Sequence, residues 1–217
     1  IGDEKINDIK NELLAIDPNI FDNFEEKREK GENASYICSL IQEDKVEEFI
    51  SYVNQTNISL NSQIPASLFE TNSFLISKKQ TLIEYAVFFG SIQIFQYLYR
   101  NNISLTHNLW IYAIHSRNAE LIDYLDSNNL SPPNNKYEEC FIESIKCHHN
   151  EIAYYIESNY LSQNENEKDV DVVLNIMRYR NYAFFPIDFE TTDEFFYLGK
   201  FKYDKLVNLF IMKKEEE

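Results

Sequence analysis

Hydrophobic residues recur along the chain at intervals of three and four positions, which is the spacing of one face of a helix. The first such stripe consists of Ile6, Ile9, Leu13 and Ile16. Asp17-Pro18 follows it and favours the start of a second short helix, because Asp is a good N-cap and Pro fits the first helical position. Gly31 ends this second segment. We therefore predict a helical N-terminal cap over residues 1–32.

From residue 33 the pattern becomes a series of short amphipathic helices in pairs, joined by brief polar breaks. Three pairs align at a small residue in the first helix and a large apolar residue in the second: Ala86 with Leu98, Ala113 with Leu125, and Ser144 with Ile156. Both residues shift by 27 positions from the first unit to the second and by 31 from the second to the third. The helix pair therefore has a constant length, and the small residue lets two helices approach closely. Internal repetition of this kind predicts a repeat architecture.

The repetition also indicates how the chain is divided. Residues 33–161 form the repeat region, with a long Ser- and Asn-rich insertion at 55–80. An insertion of this length inside a domain is often functional, and residues 65–70 within it favour a single helical turn. Residues 162–168 are a polar linker, and residues 169–217 continue the array as further helix pairs. Because a solenoid needs a polar terminal unit and the last residues form none, we expect the chain to be part of a longer repeat protein.

The stretch from Thr81 to Leu98 resembles one ankyrin repeat. The family pattern is T-P-L-H-x-A-A-x-x-G-H, followed by a second helix that ends in V-V-x-x-L-L. The matching positions are Thr81, Ile83, Ala86, Val87, Gly90, Ile94, Phe95 and Leu98. Leu82 and Glu84 stand where the family has Pro and His, and Asn102 stands where it has the final Gly.

The resemblance covers about residues 36–156 and is most specific in this first full unit. Ala113 and Ser144 keep the register in the later units, but Arg117 and His148 replace the family's Gly. The array is similar to the degenerate, Asn-rich ankyrin arrays that are expanded in some AT-rich protists. The resemblance implies an all-α, ankyrin-like solenoid of short antiparallel helix pairs, with plain loops in place of most β-hairpin fingers.

An ankyrin-like array also implies a concave face that binds a partner protein. The family contacts its partners with the residue before the repeat start and with residues that follow the small core position. By register these are Gln80, Phe88 and Phe89 in the first unit, His107, His115 and Ser116 in the second, and Glu138, Lys146 and Cys147 in the third. Two large aromatic residues at positions 88 and 89 are unusual on this face. Either they anchor a partner, or one of them packs under the insertion at 55–80.

Charge and composition limit the function. The chain has 20 Lys and Arg against 36 Asp and Glu, a net charge of −16 that disfavours nucleic acid and anionic membranes and favours a basic partner. Its 4 Gly and 5 Pro argue against a β-sandwich or a Gly-rich nucleotide-binding fold. No apolar run approaches the roughly 18 residues of a membrane-spanning helix, and the first residues do not resemble a signal peptide. We expect a cytoplasmic protein that does not insert into membranes.

Candidate chemistry is sparse. Cys38, Cys140 and Cys147 are an odd number of cysteines and do not predict a disulfide framework. Cys147-His148-His149 is the most metal-like run, but adjacent residues point in different directions on a helix and do not converge on one ion. We interpret the run as the turn between two paired helices, and we expect no metal ion and no cofactor. Neither G-x-S-x-G nor H-E-x-x-H occurs in the sequence.

The leading hypothesis is a non-enzymatic protein-protein interaction module, an adaptor or scaffold that binds its partner on the concave face. The alternative is self-association, as a homodimer formed through the N-terminal stripe from Ile6 to Ile16 or through an exposed end of the solenoid. An enzyme on a helical scaffold is a third hypothesis, which no motif supports. Light scattering against protein concentration distinguishes the first two.

Overall fold

The computed structural model describes residues 2–16, 18–161, 170–184, 192–205 and 207–208. Across these ranges the chain is all-α, as predicted, and the β pairing is limited to a single bridge between Gln63 and Thr81. The helices are, in chain order, α1 (Gly2–Ile16), α2 (Phe24–Lys30), α3 (Tyr36–Gln42), α4 (Val46–Thr56), α5 (Ser73–Ile76), α6 (Leu82–Phe89), α7 (Ile92–Arg100), α8 (Leu109–Ser116), α9 (Ala119–Ser127), α10 (Tyr137–Lys146), α11 (Asn150–Ile156), α12 (Val170–Tyr179) and α13 (Thr192–Lys200). The predicted linker at 162–168 lies outside the described residues.

The N-terminal segment contains α1 and α2, but the second helix begins later than predicted. Residues 18–23 form turns instead of a helix, and Asn23 takes a left-handed conformation (φ 52°) immediately before α2. Gly31 closes α2 with φ 64°, and its N–H donates to the carbonyl of Lys27. The carbonyl of Gly31 accepts a hydrogen bond from the Thr71 hydroxyl at 2.8 Å, which ties α2 to the insertion. A Cβ at Gly31 would lie 2.7 Å from that hydroxyl oxygen, so this close approach requires glycine.

The insertion at 55–80 is mostly irregular and contains one short helix, α5. The expected helical turn at 65–70 is wrong, because these residues have no helical conformation. The helical turn lies at Ser73–Ile76 instead. Asn72 accounts for this start, since its side chain accepts a hydrogen bond from the N–H of Phe74 and acts as the N-cap.

Four pairs of packed helices follow α2, each joined by a short turn: α3 with α4, α6 with α7, α8 with α9, and α10 with α11. Successive first helices also pack on each other, so that α3, α6, α8, α10 and α12 make an unbroken series of contacts. Ala86, Ala113 and Ser144, the small residues predicted at helix contacts, are all 0% exposed. Their burial confirms that part of the prediction.

The first helices share one type of C-terminal closure. A residue just after each helix takes a left-handed conformation: Asp44, Gly90, Arg117, His148 and Arg180. In four of these closures the next N–H donates to the carbonyl five positions earlier, as in a Schellman motif: Lys45 to Leu40 (3.0 Å), Ser91 to Ala86 (2.9 Å), His149 to Ser144 (2.9 Å) and Asn181 to Ile176 (3.1 Å). Ala86 and Ser144 are therefore structurally equivalent, as the sequence alignment of the units requires. Leu40 and Ile176 extend the same register to α3 and α12.

Polar side chains next to these closures connect one unit to the preceding one. Three contacts have this form: the Ser91 hydroxyl with the Ile41 carbonyl, Nδ1 of His149 with the Ile114 carbonyl (2.7 Å), and Nδ2 of Asn181 with the Ile145 carbonyl (3.0 Å). Each acceptor lies in the last turn of the preceding first helix, where carbonyl groups lack their usual intrahelical donors. The contacts satisfy these carbonyl groups and fix the turn of one unit against the next.

Helix α6 begins with a capping box. Oγ1 of Thr81 accepts a hydrogen bond from the N–H of Glu84, and Oε2 of Glu84 accepts one from the N–H of Thr81 at 2.8 Å. Glu84 stands where the ankyrin pattern has His. The chain therefore departs from the pattern at this position with a residue that also stabilises the helix start.

The buried hydrophobic residues form one large cluster that extends from Ile37 in α3 to Ile176 in α12 and includes Trp110. A second, small cluster of Met177, Leu198 and Tyr203 joins α12 to α13 and the turn after it. Within the described ranges, no helix has both the length and the apolar character needed to cross a membrane. Of the predicted binding residues, Phe88 and Phe89 at the end of α6 pack against the large cluster.

Candidate functional site

The C-terminal ends of α6, α8 and α10 bring several of the predicted binding residues together. We call this group the first-helix cluster: Phe88, Phe89, His115, Ser116, Lys146 and Cys147. Each follows the small core residue of its helix by two or three positions, which turns it about 200–300° around the helix and away from the buried face. Lys146 is exposed and the others are half-buried. The ring of Phe88 lies 5.2 Å from the ring of His115, and Nδ1 of His115 lies 3.6 Å from Sγ of Cys147.

The insertion at 55–80 covers part of this cluster through Phe74 of α5. The Phe74 ring stacks on Phe88 with centroids 5.9 Å apart, and it lies 4.2 Å from the His115 ring. It also packs edge-on against Tyr112 at 5.1 Å. Of the two alternatives for the paired phenylalanines, packing against the insertion is therefore the arrangement that the structure shows for Phe88. Nζ of Lys78 lies over the Phe74 ring, 4.7 Å from its centroid.

Gln80, His107 and Glu138, the other predicted binding residues, lie outside the cluster. Gln80 is only 5% exposed, and its side-chain Nε2 donates hydrogen bonds to the carbonyl groups of Leu75 and Lys78 at 2.7 Å each. Gln80 therefore holds the insertion in place and is not presented to a partner. His107 and Glu138 are exposed near the N-terminal ends of α8 and α10. A helix of eight to ten residues places them about 12–15 Å from the cluster.

Glu143 is the residue of this region that the sequence did not indicate. Its Oε1 lies 2.9 Å from Nε2 of His115 and 2.8 Å from Nζ of Lys146, and its side chain is only 17% exposed. Burial by itself raises the pKa of Glu143, but the hydrogen-bonding groups and charges of His115 and Lys146 outweigh it, so that the pKa lies below its usual value. The signal available in the sequence was the i,i+3 spacing of Glu143 and Lys146, which is typical of a helix ion pair.

Cys147 contacts His115, which in turn contacts Glu143, and this is the sequence of contacts in the catalytic triad of a cysteine hydrolase. The surroundings of the three residues nevertheless disfavour that chemistry. A nucleophilic cysteine needs a low pKa, whereas burial, with help from Glu143, raises the pKa of Cys147 to about 11. Cys147 also lies at the C-terminal, negative end of α10, which disfavours a thiolate.

The backbone around Cys147 also disfavours hydrolase chemistry. An oxyanion hole needs backbone N–H groups that point at the substrate. The N–H groups of Cys147, His148 and His149 instead donate to carbonyl groups of α10, at 2.9, 3.1 and 2.9 Å respectively. The arrangement therefore lacks both an activated nucleophile and a place to stabilise a negative oxygen.

The run Cys147-His148-His149 does not converge as a metal site. His148 takes the left-handed conformation of the turn between α10 and α11, and its Nε2 lies 2.9 Å from the carbonyl oxygen of Tyr179. Nδ1 of His149 contacts the carbonyl of Ile114, and burial lowers the pKa of His149. These two side chains connect neighbouring units. Cys147 alone of the three joins the first-helix cluster.

Comparison of the chain with protein-family models, with curated proteins and with solved structures finds no match. The resemblance to ankyrin repeats therefore rests on the residues quoted for it, and the ankyrin-like solenoid stays a prediction.

Proposed function

We propose that the protein is a non-enzymatic protein-interaction module, built as an ankyrin-like solenoid, that binds a partner protein through the first-helix cluster. The observation that carries the proposal is the meeting of side chains from three successive units in one exposed or half-exposed row. The repeated closure of the first helices supports the solenoid, because it places equivalent residues at equivalent points of each unit.

The cluster has the chemistry of a protein-binding surface. Aromatic side chains account for much of the binding energy in protein interfaces, and Phe88 and Phe89 provide two of them at the end of α6. Phe74 of the insertion extends the aromatic surface towards α8, so a partner that binds there contacts the insertion as well. The net charge of −16 favours a basic partner and mainly raises the rate of association.

The proposal is tested with one variant inside the cluster and one outside it. The wild-type protein captures a partner from an extract of the source cells, mass spectrometry identifies the partner, and its affinity is measured for each variant. Phe89→Ala removes an aromatic side chain that contacts Phe88 at 5.2 Å. Tyr154→Ala is the matched control, because Tyr154 is a 49% exposed aromatic residue on α11 that also packs on another ring.

We expect Phe89→Ala to weaken binding by about 1–2 kcal/mol, or roughly 5- to 30-fold in Kd, and Tyr154→Ala to leave Kd unchanged. Circular dichroism shows whether each variant keeps its helix content. A partner that binds Phe89→Ala as tightly as the wild type places the binding site elsewhere, with the insertion as the next region to test.

Self-association through α1 is a second candidate function. Ile6 and Ile9 of the predicted stripe are 61% and 56% exposed, so α1 presents apolar side chains that the described part of the chain does not cover. Light scattering should then show a mass that rises from monomer to dimer with concentration, and Ile6→Asp should shift this rise to higher concentration. A wild-type mass that stays constant at monomer over the whole range excludes this function.

A further inference from the structure

We propose that His115, Glu143 and Cys147 form a binding site for a divalent transition metal ion, and that Zn²⁺ is the ion that suits it best. One ligand atom from each residue lies within 4.8 Å of the other two. Imidazole nitrogen, thiolate sulfur and carboxylate oxygen are the three ligand types that zinc takes in proteins. The inference departs from the expectation of no metal ion, because the sequence separates His115 from Cys147 by a whole repeat unit. It does not depend on the proposed binding of a partner protein.

The distances fit tetrahedral coordination. Bond lengths of about 2.3 Å to sulfur and about 2.05 Å to nitrogen place the two ligand atoms about 3.6 Å apart in a tetrahedron. Sγ of Cys147 and Nδ1 of His115 are 3.6 Å apart. The carboxylate of Glu143 lies 2.9 Å from Nε2 of the same ring, so it has to leave this contact and turn toward Nδ1 to complete the set. Three protein ligands leave one position for water, as in open zinc sites.

The scaffold holds these ligands before an ion binds. Glu143 and Cys147 are four residues apart on α10 and its C-cap, so they lie on the same side of the helix. The rings of Phe74 and Phe88 pack on His115 and fix the orientation of its imidazole. Nε2 of His115 lies 2.9 Å from Oε1 of Glu143, so the carboxylate also holds the ring from its other nitrogen.

The local field also favours a cation. The site lies at the C-terminal ends of α8 and α10, where the helix dipoles are negative. Lys146 is the cation that competes for the site, because its Nζ lies 2.8 Å from Oε1 of Glu143. Its side chain is 41% exposed and reaches solvent without disturbing the core. Binding therefore moves Lys146 away from Glu143, and the thiol proton of Cys147 passes to the buffer as the metal–sulfur bond forms.

The experiment titrates the full chain with Co²⁺, a spectroscopic substitute for Zn²⁺, and then with Zn²⁺ by calorimetry. We expect one Co²⁺ per chain with a thiolate-to-cobalt charge-transfer band, and displacement of Co²⁺ by Zn²⁺. Cys147→Ser and Glu143→Gln should each lower the affinity at least about tenfold. Glu139→Gln is the control, since Glu139 lies on the same helix outside the site and pairs at 2.8 Å with Lys136, the residue before the helix.

A second pair of variants tests the competition. Lys146→Met should tighten metal binding several-fold, because it removes the cation that holds Glu143, whereas Lys136→Met should leave the affinity unchanged. A cobalt spectrum without the thiolate band overturns the proposal, and so does a folded Cys147→Ser variant with wild-type affinity. If Cys147→Ser does not fold, the charge-transfer band of the wild-type protein decides the question alone.

Discussion

Ala113→Leu is the sharpest test of how the first helices pack. Ala113 is 0% exposed, and its helix α8 contacts α6 on one side and α10 on the other. A leucine adds three carbon atoms where the neighbouring helices leave no room. Overpacking of this kind costs about 1–3 kcal/mol, which for a chain of this size lowers Tm by about 2–12 °C.

The assay is urea unfolding followed by circular dichroism and by tryptophan fluorescence. Trp110 is the single tryptophan of the chain and is fully buried in α8, so its fluorescence reports on the unit that carries the substitution. Ala119→Leu is the control, because Ala119 is exposed at the start of α9 and its replacement should stay within about 0.5 kcal/mol. Equal free energies of unfolding for wild type and Ala113→Leu would refute the tight packing at this position.

Two further predictions concern the helix ends and the thiols. Arg117→Gly should stabilise the protein by about 0.5–1 kcal/mol in urea unfolding, because the left-handed conformation of Arg117 (φ 53°) favours glycine. Gln96→Gly inside α7 is the control and should destabilise the protein by a similar amount. Destabilisation by both substitutions would contradict the left-handed closure at Arg117. Burial raises the pKa of all three thiols, but Cys38 and Cys140 are 0% exposed whereas Cys147 is half-buried, so only Cys147 is accessible to a reagent. A thiol reagent should therefore label only Cys147 in the native protein and all three cysteines after unfolding, as read by mass spectrometry; rapid native labelling of Cys38 or Cys140 would contradict their burial.

The helix pairs could be predicted from the sequence because their information is local. Apolar spacing identifies a helix from its own residues, and a constant offset between units aligns Ala86 with Ala113 and Ser144. The same offsets place His148 and Arg117 at the turns between paired helices, where the structure has them in left-handed conformations. These features depend on neighbours along the chain and not on how distant helices meet.

The candidate site depends on distant helices and was therefore only partly predictable. The ankyrin register selected His115 and Cys147 separately, but nothing in their spacing shows that they meet across the boundary between two units. Glu143 was not predicted as a site residue because it precedes the small residue Ser144, whereas the ankyrin register selects residues that follow that position. The path of the insertion could not be predicted from local sequence either, since the contact of Phe74 with His115 depends on where an irregular segment crosses the helices.

The helix closures suggest where the stability of this fold comes from. Arginine, histidine and aspartate take left-handed conformations at positions where glycine would be free of strain, and each does so at a cost of about 1–2 kcal/mol. Contacts between units must offset this cost. The polar contacts of His149 and Asn181 with the preceding unit lie directly beside His148 and Arg180 and hold these strained residues in position. In repeat proteins the interfaces between units contribute to stability together with the units themselves, and the metal ion proposed between α8 and α10 would strengthen one such interface directly.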